Sequence, residues 1–153
     1  MPSSPPLEFV MEAHVTIAPA IDIGVTPRGE RRIIPITGGT FEGPGLRGRV
    51  VPGGADGQII RPDGVAELEA RYTLETESGG LIYVVNRGIR HGPPEILRAL
   101  REGVPVDRSR YYFRTAPVFE TAVPELDRMM RSIFIGDGER FPDRVAMRFW
   151  RVG

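Results

Sequence analysis

The chain has no cysteine and no lysine, and each absence removes a class of chemistry. Without cysteine there is no thiol nucleophile, no disulfide and no thiolate metal ligand. Without lysine there is no Schiff-base amine and no phosphate-loop ammonium. All 20 basic residues are arginines, which stay protonated near neutral pH and bind anions without serving as general bases. The 20 acidic residues balance them, so the formal net charge is +0 and no overall field recruits nucleic acid or an anionic membrane. The N-terminal MPSSPPLEF has no charged leader region, and no apolar run is long enough for a membrane helix. A cytoplasmic protein with neither a nucleic-acid nor a membrane partner is expected.

Two imidazoles, His14 and His91, are too few and too far apart in sequence to suggest a ligand spacing, although Glu12 or Asp56 could complete a two-histidine, one-carboxylate set. No metal and no cofactor are expected. A serine hydrolase is also a poor fit: Ser3, Ser4, Ser78, Ser109 and Ser132 all lack the G-x-S-x-G elbow.

What the chain does have is glycine and proline, 19 and 15 of them, set between strand-forming runs. Many tight turns follow, rather than disorder. Residues 1–6 read as a flexible proline-rich tail and 7–153 as a single domain. From Leu7 to Ile17 apolar and polar residues alternate, the pattern of a half-buried strand. Ile21, Ile23 and Val25 continue it before the Pro27–Gly29 turn, and a further strand starts over Arg32–Ile36. Between Val65 and Thr76 one face carries Ala66, Leu68, Ala70, Tyr72 and Leu74; the other carries Glu67, Glu69, Arg71, Thr73 and Glu75. Leu81–Arg87 is apolar on both faces through Val85, which calls for a cover on each side. Pro94–Glu102 is the one helix, with a stripe of Ile96, Leu97 and Leu100 and a stop at Gly103. Strands over Ser109–Glu120, Arg131–Ile135 and Arg144–Val152 complete the chain. The fold class is all-β: an antiparallel up-and-down β-barrel of about nine or ten strands with one short helix, against a β-sandwich as the competing architecture.

Gly43-Pro44-Gly45-Leu46-Arg47-Gly48 spells G-x-G-x-x-G. A dinucleotide site would need a helix of several turns after it, but Arg49-Val50-Val51 is strand-like and Pro52-Gly53-Gly54 follows at once. Tight turns are the better account. More informative are polar residues inside strand segments: Arg71, Asn86 (the chain's one asparagine), Tyr112, Arg114 and Glu120. Asn86 could equally be a turn residue before Gly88, and Arg114 a solvated arginine. An arginine buried among aromatics would need an anionic partner, either Glu120 or a ligand.

The run Ile36–Asp56 resembles the domain of unknown function 3237 family, as do Arg61-Pro62-Asp63-Gly64, Ala70–Thr76, Ile82-Tyr83, Asn86–Gly92, Tyr111–Thr115 and Phe119-Glu120-Thr121. Together the blocks span nearly everything from Leu7 to Val152 in order. The resemblance implies a self-associating β-barrel whose biochemical role is largely unassigned. It puts Gly38, Gly39, Gly53, Gly54, Asp56, Asn86, Gly88, Arg114, Phe119 and Glu120 on matching motif positions.

Two functions fit these residues. One is a barrel that binds a small, partly apolar anion such as a carboxylate in its interior, through Arg71, Asn86, Arg90, Tyr112, Arg114 and Glu120. The other is a cofactor-independent isomerase, lyase or cyclase with Asp56 or Glu120 as acid/base and Tyr112 as proton donor. An acid and a tyrosine converging in one enclosed pocket would favour the enzyme; their lying on opposite sides of the wall would sink it. A homo-oligomer is expected as well, to cover the outer faces of Leu81–Val85 and Tyr111–Phe113.

Overall fold

The computed structural model describes Met1–Gly153 and is a closed antiparallel barrel. Its strands are β1 (Leu7–Ile17), β2 (Ile21–Thr26), β3 (Gly29–Gly43), β4 (Leu46–Ile60), β5 (Ala66–Thr76), β6 (Leu81–His91), β7 (Tyr112–Thr121), β8 (Ile133–Arg140) and β9 (Arg144–Val152). Each strand from β3 to β9 pairs with the next, β9 returns to β1, and β1 closes the ring on the second half of β3. Eight strands form the wall. The ninth, β2, pairs only with the first part of β3, which runs past the ring. The barrel, rather than the sandwich, follows from that one β1–β3 pairing: it leaves only β2 as an outer edge.

The long β3–β4 hairpin is the glycine-rich segment. Its turn is Pro44-Gly45, with Gly45 at φ +67, so the G-x-G-x-x-G tightens a hairpin and opens no helix. The pairing of β3 slips between Pro35 and Thr40 and that of β4 between Val51 and Ala55, which bends the ribbon around the barrel. Gly39 sits at one of these corners with φ +132, and a Cβ there would run into the carbonyl of His14 on β1. The corner needs glycine for both reasons.

The limits of β1, β2, β5 and β9 follow those read off the sequence, whereas β3, β6 and β8 run on to Gly43, His91 and Arg140. The sequence delimits β4 no further than the strand-like Arg49–Val51, and the strand expected from Ser109 starts only at Tyr112, because Arg108–Arg110 forms a 3-10 turn. The helix α1 (Pro94–Arg101) is where the stripe puts it, with Ile96 and Leu100 buried. Two 3-10 helices, Arg108–Arg110 and Pro124–Met130, were not anticipated; the second opens on Pro124, which reads in sequence only as a strand separator. The expected cover over β6 is absent within the chain: Leu81 and Tyr83 stay exposed on the outer face. No helix is long and apolar enough to cross a membrane.

One end of the barrel is packed solid. Met11, Phe41, Val50, Leu74, Ile82 and Phe149 are almost completely buried there. Phe119 meets Phe134 and Phe149 edge-on, with centroids 5.0 and 5.5 Å apart, and Met129 from the second 3-10 helix is buried beside them. The other end, under α1, is built differently.

Candidate functional site

Toward the α1 end, the inward positions of the strands stop being apolar. Pairing across the wall aligns Ile34, Asp56, Ala70, Asn86 and Pro117 in one ring, and Arg32, Gln58, Leu68, Gly88 and Thr115 in the next. All of these except Arg32, Gly88 and Pro117 line, together with Tyr72, Arg90, Phe113, Arg140 and Met147, a cavity of about 50 Å³, room for a few water molecules. Outside it lies a vestibule of about 400 Å³ between the strand ends and α1. Ile34, Gln58, Arg90 and Arg140 line both spaces, so the cavity opens into the vestibule. In combination they reach the size range of small-molecule sites.

The cavity's polar groups are poorly satisfied. Five buried side-chain polar atoms in the whole protein lack a partner, and four of them line this cavity: Gln58 Oε1, Tyr72 Oη, Asn86 Oδ1 and Thr115 Oγ1. Buried polar atoms are nearly always paired in native proteins, because leaving one unpaired costs about 1–3 kcal/mol. Four of the five fall in this one cavity. Thr115 is held there by shape: a Cβ on its cross-strand neighbour Gly136 would strike its Oγ1 and the methyl of Met147.

Asp56 is the acid of the site. Gln58 Nε2 donates to its Oδ2 at 2.9 Å, and the Glu69 backbone N–H donates to its Oδ1 at 3.2 Å. Burial pushes its carboxyl above the ordinary aspartate range, opposed by the Gln58 hydrogen bond and then by the field of Arg90. Tyr72 is pushed up as well, by burial and by the nearby Asp56. Arg90 moves the other way: burial lowers its guanidinium to about 10, against the attraction of Asp56. Arg90 has no carboxylate within 4 Å, and its Cζ lies over the Phe113 ring, 5.5 Å from the centroid. A carboxyl poised toward its neutral form, beside a tyrosine and a buried cation, can give and take protons from a bound molecule.

Of the residues singled out from sequence, Asp56, Asn86 and Arg90 come together at this cavity. The other four lie on the outer wall, so Tyr112 is across the wall from Asp56 and cannot be its proton donor, and Glu120 is no interior acid; the tyrosine that does share the cavity with Asp56 is Tyr72. On β7 burial alternates strictly, with Phe113, Thr115, Phe119 and Thr121 inside and Tyr112, Arg114 and Glu120 outside. Arg114 donates to Asp137 Oδ1 at 2.9 Å and lies over Tyr112, which stacks on His91 at 5.0 Å. Arg71 on β5 is exposed and bonds Glu69 and the Tyr83 hydroxyl. His14 is likewise on the outer face, within 3.6 Å of Glu12.

Gln58, Thr115 and Arg140 were not singled out from the sequence, and Tyr72 only as an aromatic that could pack on a ligand. Some signal existed. The chain has one asparagine and one glutamine, and both face the cavity. Gln58 also follows Asp56 by two residues, the spacing of one strand face. Arg140, at the end of β8, carried no such mark; only closure of the ring brings it beside Arg90.

The family described as "Protein of unknown function (DUF3237)" matches residues 5–152. A UPF0311 protein of Rhodopseudomonas palustris is 47% identical over 151 residues, covering 97% of this chain and 99% of its own length. A crystal structure of a conserved protein of unknown function from the same species superposes with a TM-score of 0.95 at 43% identity, with 100% of both chains covered. More distantly, the hydroalkoxylation enzyme phnH of Penicillium herquei is 31% identical over 83 residues, 54% of this chain and 55% of that protein. A crystal structure of an enzyme from Penicillium herquei shares the fold, with a TM-score of 0.74 at 20% identity, covering 100% of this chain and 98% of the other.

Proposed function

The chain belongs to the DUF3237 family of proteins of unknown function, and from that premise we propose that its barrel performs cofactor-independent acid/base chemistry on a small, partly apolar, anionic molecule. The observation that carries this reading is the set of four unpartnered polar atoms in the one cavity that also holds the Asp56 carboxyl. In it, Asp56 transfers the proton, and Tyr72, Gln58, Asn86 and Thr115 orient the guest through the atoms now unpaired. The apolar walls, Val15, Ile34, Leu68 and Met147 among them, take its hydrocarbon part.

The name of the Penicillium relative suggests a reaction of this kind. In a hydroalkoxylation an O–H adds across a carbon–carbon double bond. Asp56 would give its proton to one alkene carbon while the hydroxyl oxygen bonds the other, and the hydroxyl proton would return to the carboxylate. One C–H and one C–O bond form, one π bond and one O–H bond break, and nothing is oxidised or reduced. A group that begins and ends protonated suits a carboxyl raised toward neutrality.

The test is incubation of the protein with a panel of unsaturated alcohols and unsaturated hydroxy acids in D₂O, read by NMR. The expected result is cyclic or isomerised product carrying deuterium on carbon, lost in Asp56→Asn. Binding without product across the panel, or an Asp56→Asn variant as active as wild type, would leave a binding barrel and no acid/base catalyst.

A further inference from the structure

The arginines of this chain are unevenly served. Thirteen of the 20 lie within 4 Å of a carboxylate; Arg28, Arg31, Arg32, Arg90, Arg98, Arg110 and Arg140 do not. Four of those seven line one space, the vestibule under α1. Arg32 comes from β3, Arg90 from the end of β6, Arg98 from α1 and Arg140 from the end of β8. Four separate elements thus bring unpaired guanidiniums to one opening, in a protein whose overall charge is zero.

The surrounding carboxylates do not cancel them. Asp63, the one acid lining the vestibule, is held by Arg61 at 2.7 Å, and Glu30 is held by Arg101. Asp22 accepts from the Gly24 backbone N–H at 2.9 Å. Asp56 faces inward and is pushed toward its neutral form. Burial lowers the guanidiniums of Arg32, Arg90 and Arg140, and the cations add to it by repulsion, Arg101 on Arg32, Arg32 on Arg140 and Arg140 on Arg90, against the attraction of Asp56 on all three. Arg90 is itself only 9% exposed, a buried cation that feels the attraction of Asp56 but has no carboxylate within 4 Å. Burying a charge in that way is costly unless something pairs with it.

We propose that the vestibule is a recognition site for a dianionic group, a phosphate monoester or a pair of neighbouring carboxylates, on the molecule that enters the barrel. A single carboxylate offers one fork and one charge; a dianion offers at least three oxygens and two charges to four guanidiniums. The geometry divides the ligand: the dianion stays between the strand ends and α1, and the less polar part reaches past Arg90 toward Asp56. This inference rests on the acid/base reading only for that second half; the anion site itself stands on the arginines.

The experiment is calorimetric titration with inorganic phosphate, malonate and acetate, each against chloride at matched ionic strength. Saturable binding of phosphate or malonate at least tenfold tighter than acetate is expected. A preference for phosphate would indicate a phosphate monoester, and one for malonate a dicarboxylate. Arg32→Gln/Arg140→Gln, on partly exposed residues, should weaken the preferred anion at least tenfold with the fold intact by circular dichroism. Arg28→Gln/Arg110→Gln, two unpaired arginines away from the vestibule, should leave it within twofold. Acetate binding as well as the dianions, no binding beyond chloride, or equal losses in both double variants would overturn the proposal. Asp56→Asn separates the two ideas: retained dianion binding with unchanged turnover sinks the acid/base reading alone, and lost dianion binding sinks the division of the ligand.

Discussion

Replacing Arg90 by methionine should make the protein more stable. Burial lowers the Arg90 guanidinium from its ordinary range to about 10, which corresponds to about 3 kcal/mol against the charged form in the folded state. The sign follows from linkage. The unfolded chain holds this proton more tightly, so wild-type stability rises as pH climbs from about 10 toward the unfolded value, and the full cost is present at neutral pH. Methionine removes that cost and the interaction with the Phe113 ring, which is worth about 1–2 kcal/mol at a desolvated site. A net gain of about 1–2 kcal/mol remains, or roughly 3–6 °C in Tm for a domain of this size. Urea denaturation at pH 7 in a non-coordinating buffer, with an unchanged m value, is the assay. The order should reverse in phosphate if phosphate is the preferred anion, since a ligand at a hundredfold its Kd adds about 3 kcal/mol to wild type alone. A variant destabilised by more than about 1 kcal/mol would refute the reasoning, because Arg90 would then be an internally satisfied structural cation.

The remaining predictions concern the cavity and its wall. Asp56→Asn should raise Tm at neutral pH, since a carboxyl raised by burial lends stability below its unfolded value of 3.8 and loses it as pH rises through its folded one; the gap between variant and wild type should close as pH falls toward 4, and a gap that widened in acid would contradict this. Gln58 can turn its amide over so that Oε1 accepts from the side-chain amide that this substitution introduces, which exchanges one unpaired Gln58 atom, Oε1, for another, Nε2. Gly136→Ala should cost about 1–3 kcal/mol in urea denaturation, because the added methyl meets Thr115 Oγ1 and Met147 in a packed wall. Arg114→Ala should change stability by less than about 1 kcal/mol in the same assay, as its partner Asp137 lies in an exposed pair, and it should leave dianion affinity unaltered.

The barrel was legible because its strands follow period two and its turns are marked by glycine and proline. Strand parity also held the answer to part of the site. Tyr112, Arg114 and Glu120 share one parity on β7, and Phe113 and Phe119 share the other; once the phenylalanines are assigned to the interior, the polar trio must face out. Rarity drew attention to Asn86 but not to Gln58, the equally solitary glutamine. The arginine vestibule was beyond reach for a different reason. Arg32, Arg90, Arg98 and Arg140 are scattered over more than a hundred residues, and only ring closure with α1 folded over the opening makes them neighbours. Charge is also a poor guide in sequence here, since paired and unpaired arginines look alike when every basic residue is arginine.

The central claim is that the barrel holds a proton-transferring carboxyl at Asp56 in a site built for a guest. Carbon-13 NMR of the side-chain carboxyls, titrated from pH 3 to 9, measures it directly, with Asp56→Asn identifying the resonance. The expected result is an Asp56 carboxyl that titrates above the ordinary aspartate value of 3.8 and apart from the exposed carboxylates, Asp63 among them, which Arg61 holds down at about 2. An Asp56 that titrated at or below 3.8 would be an ion-paired structural carboxylate, and the acid/base reading would fall with it.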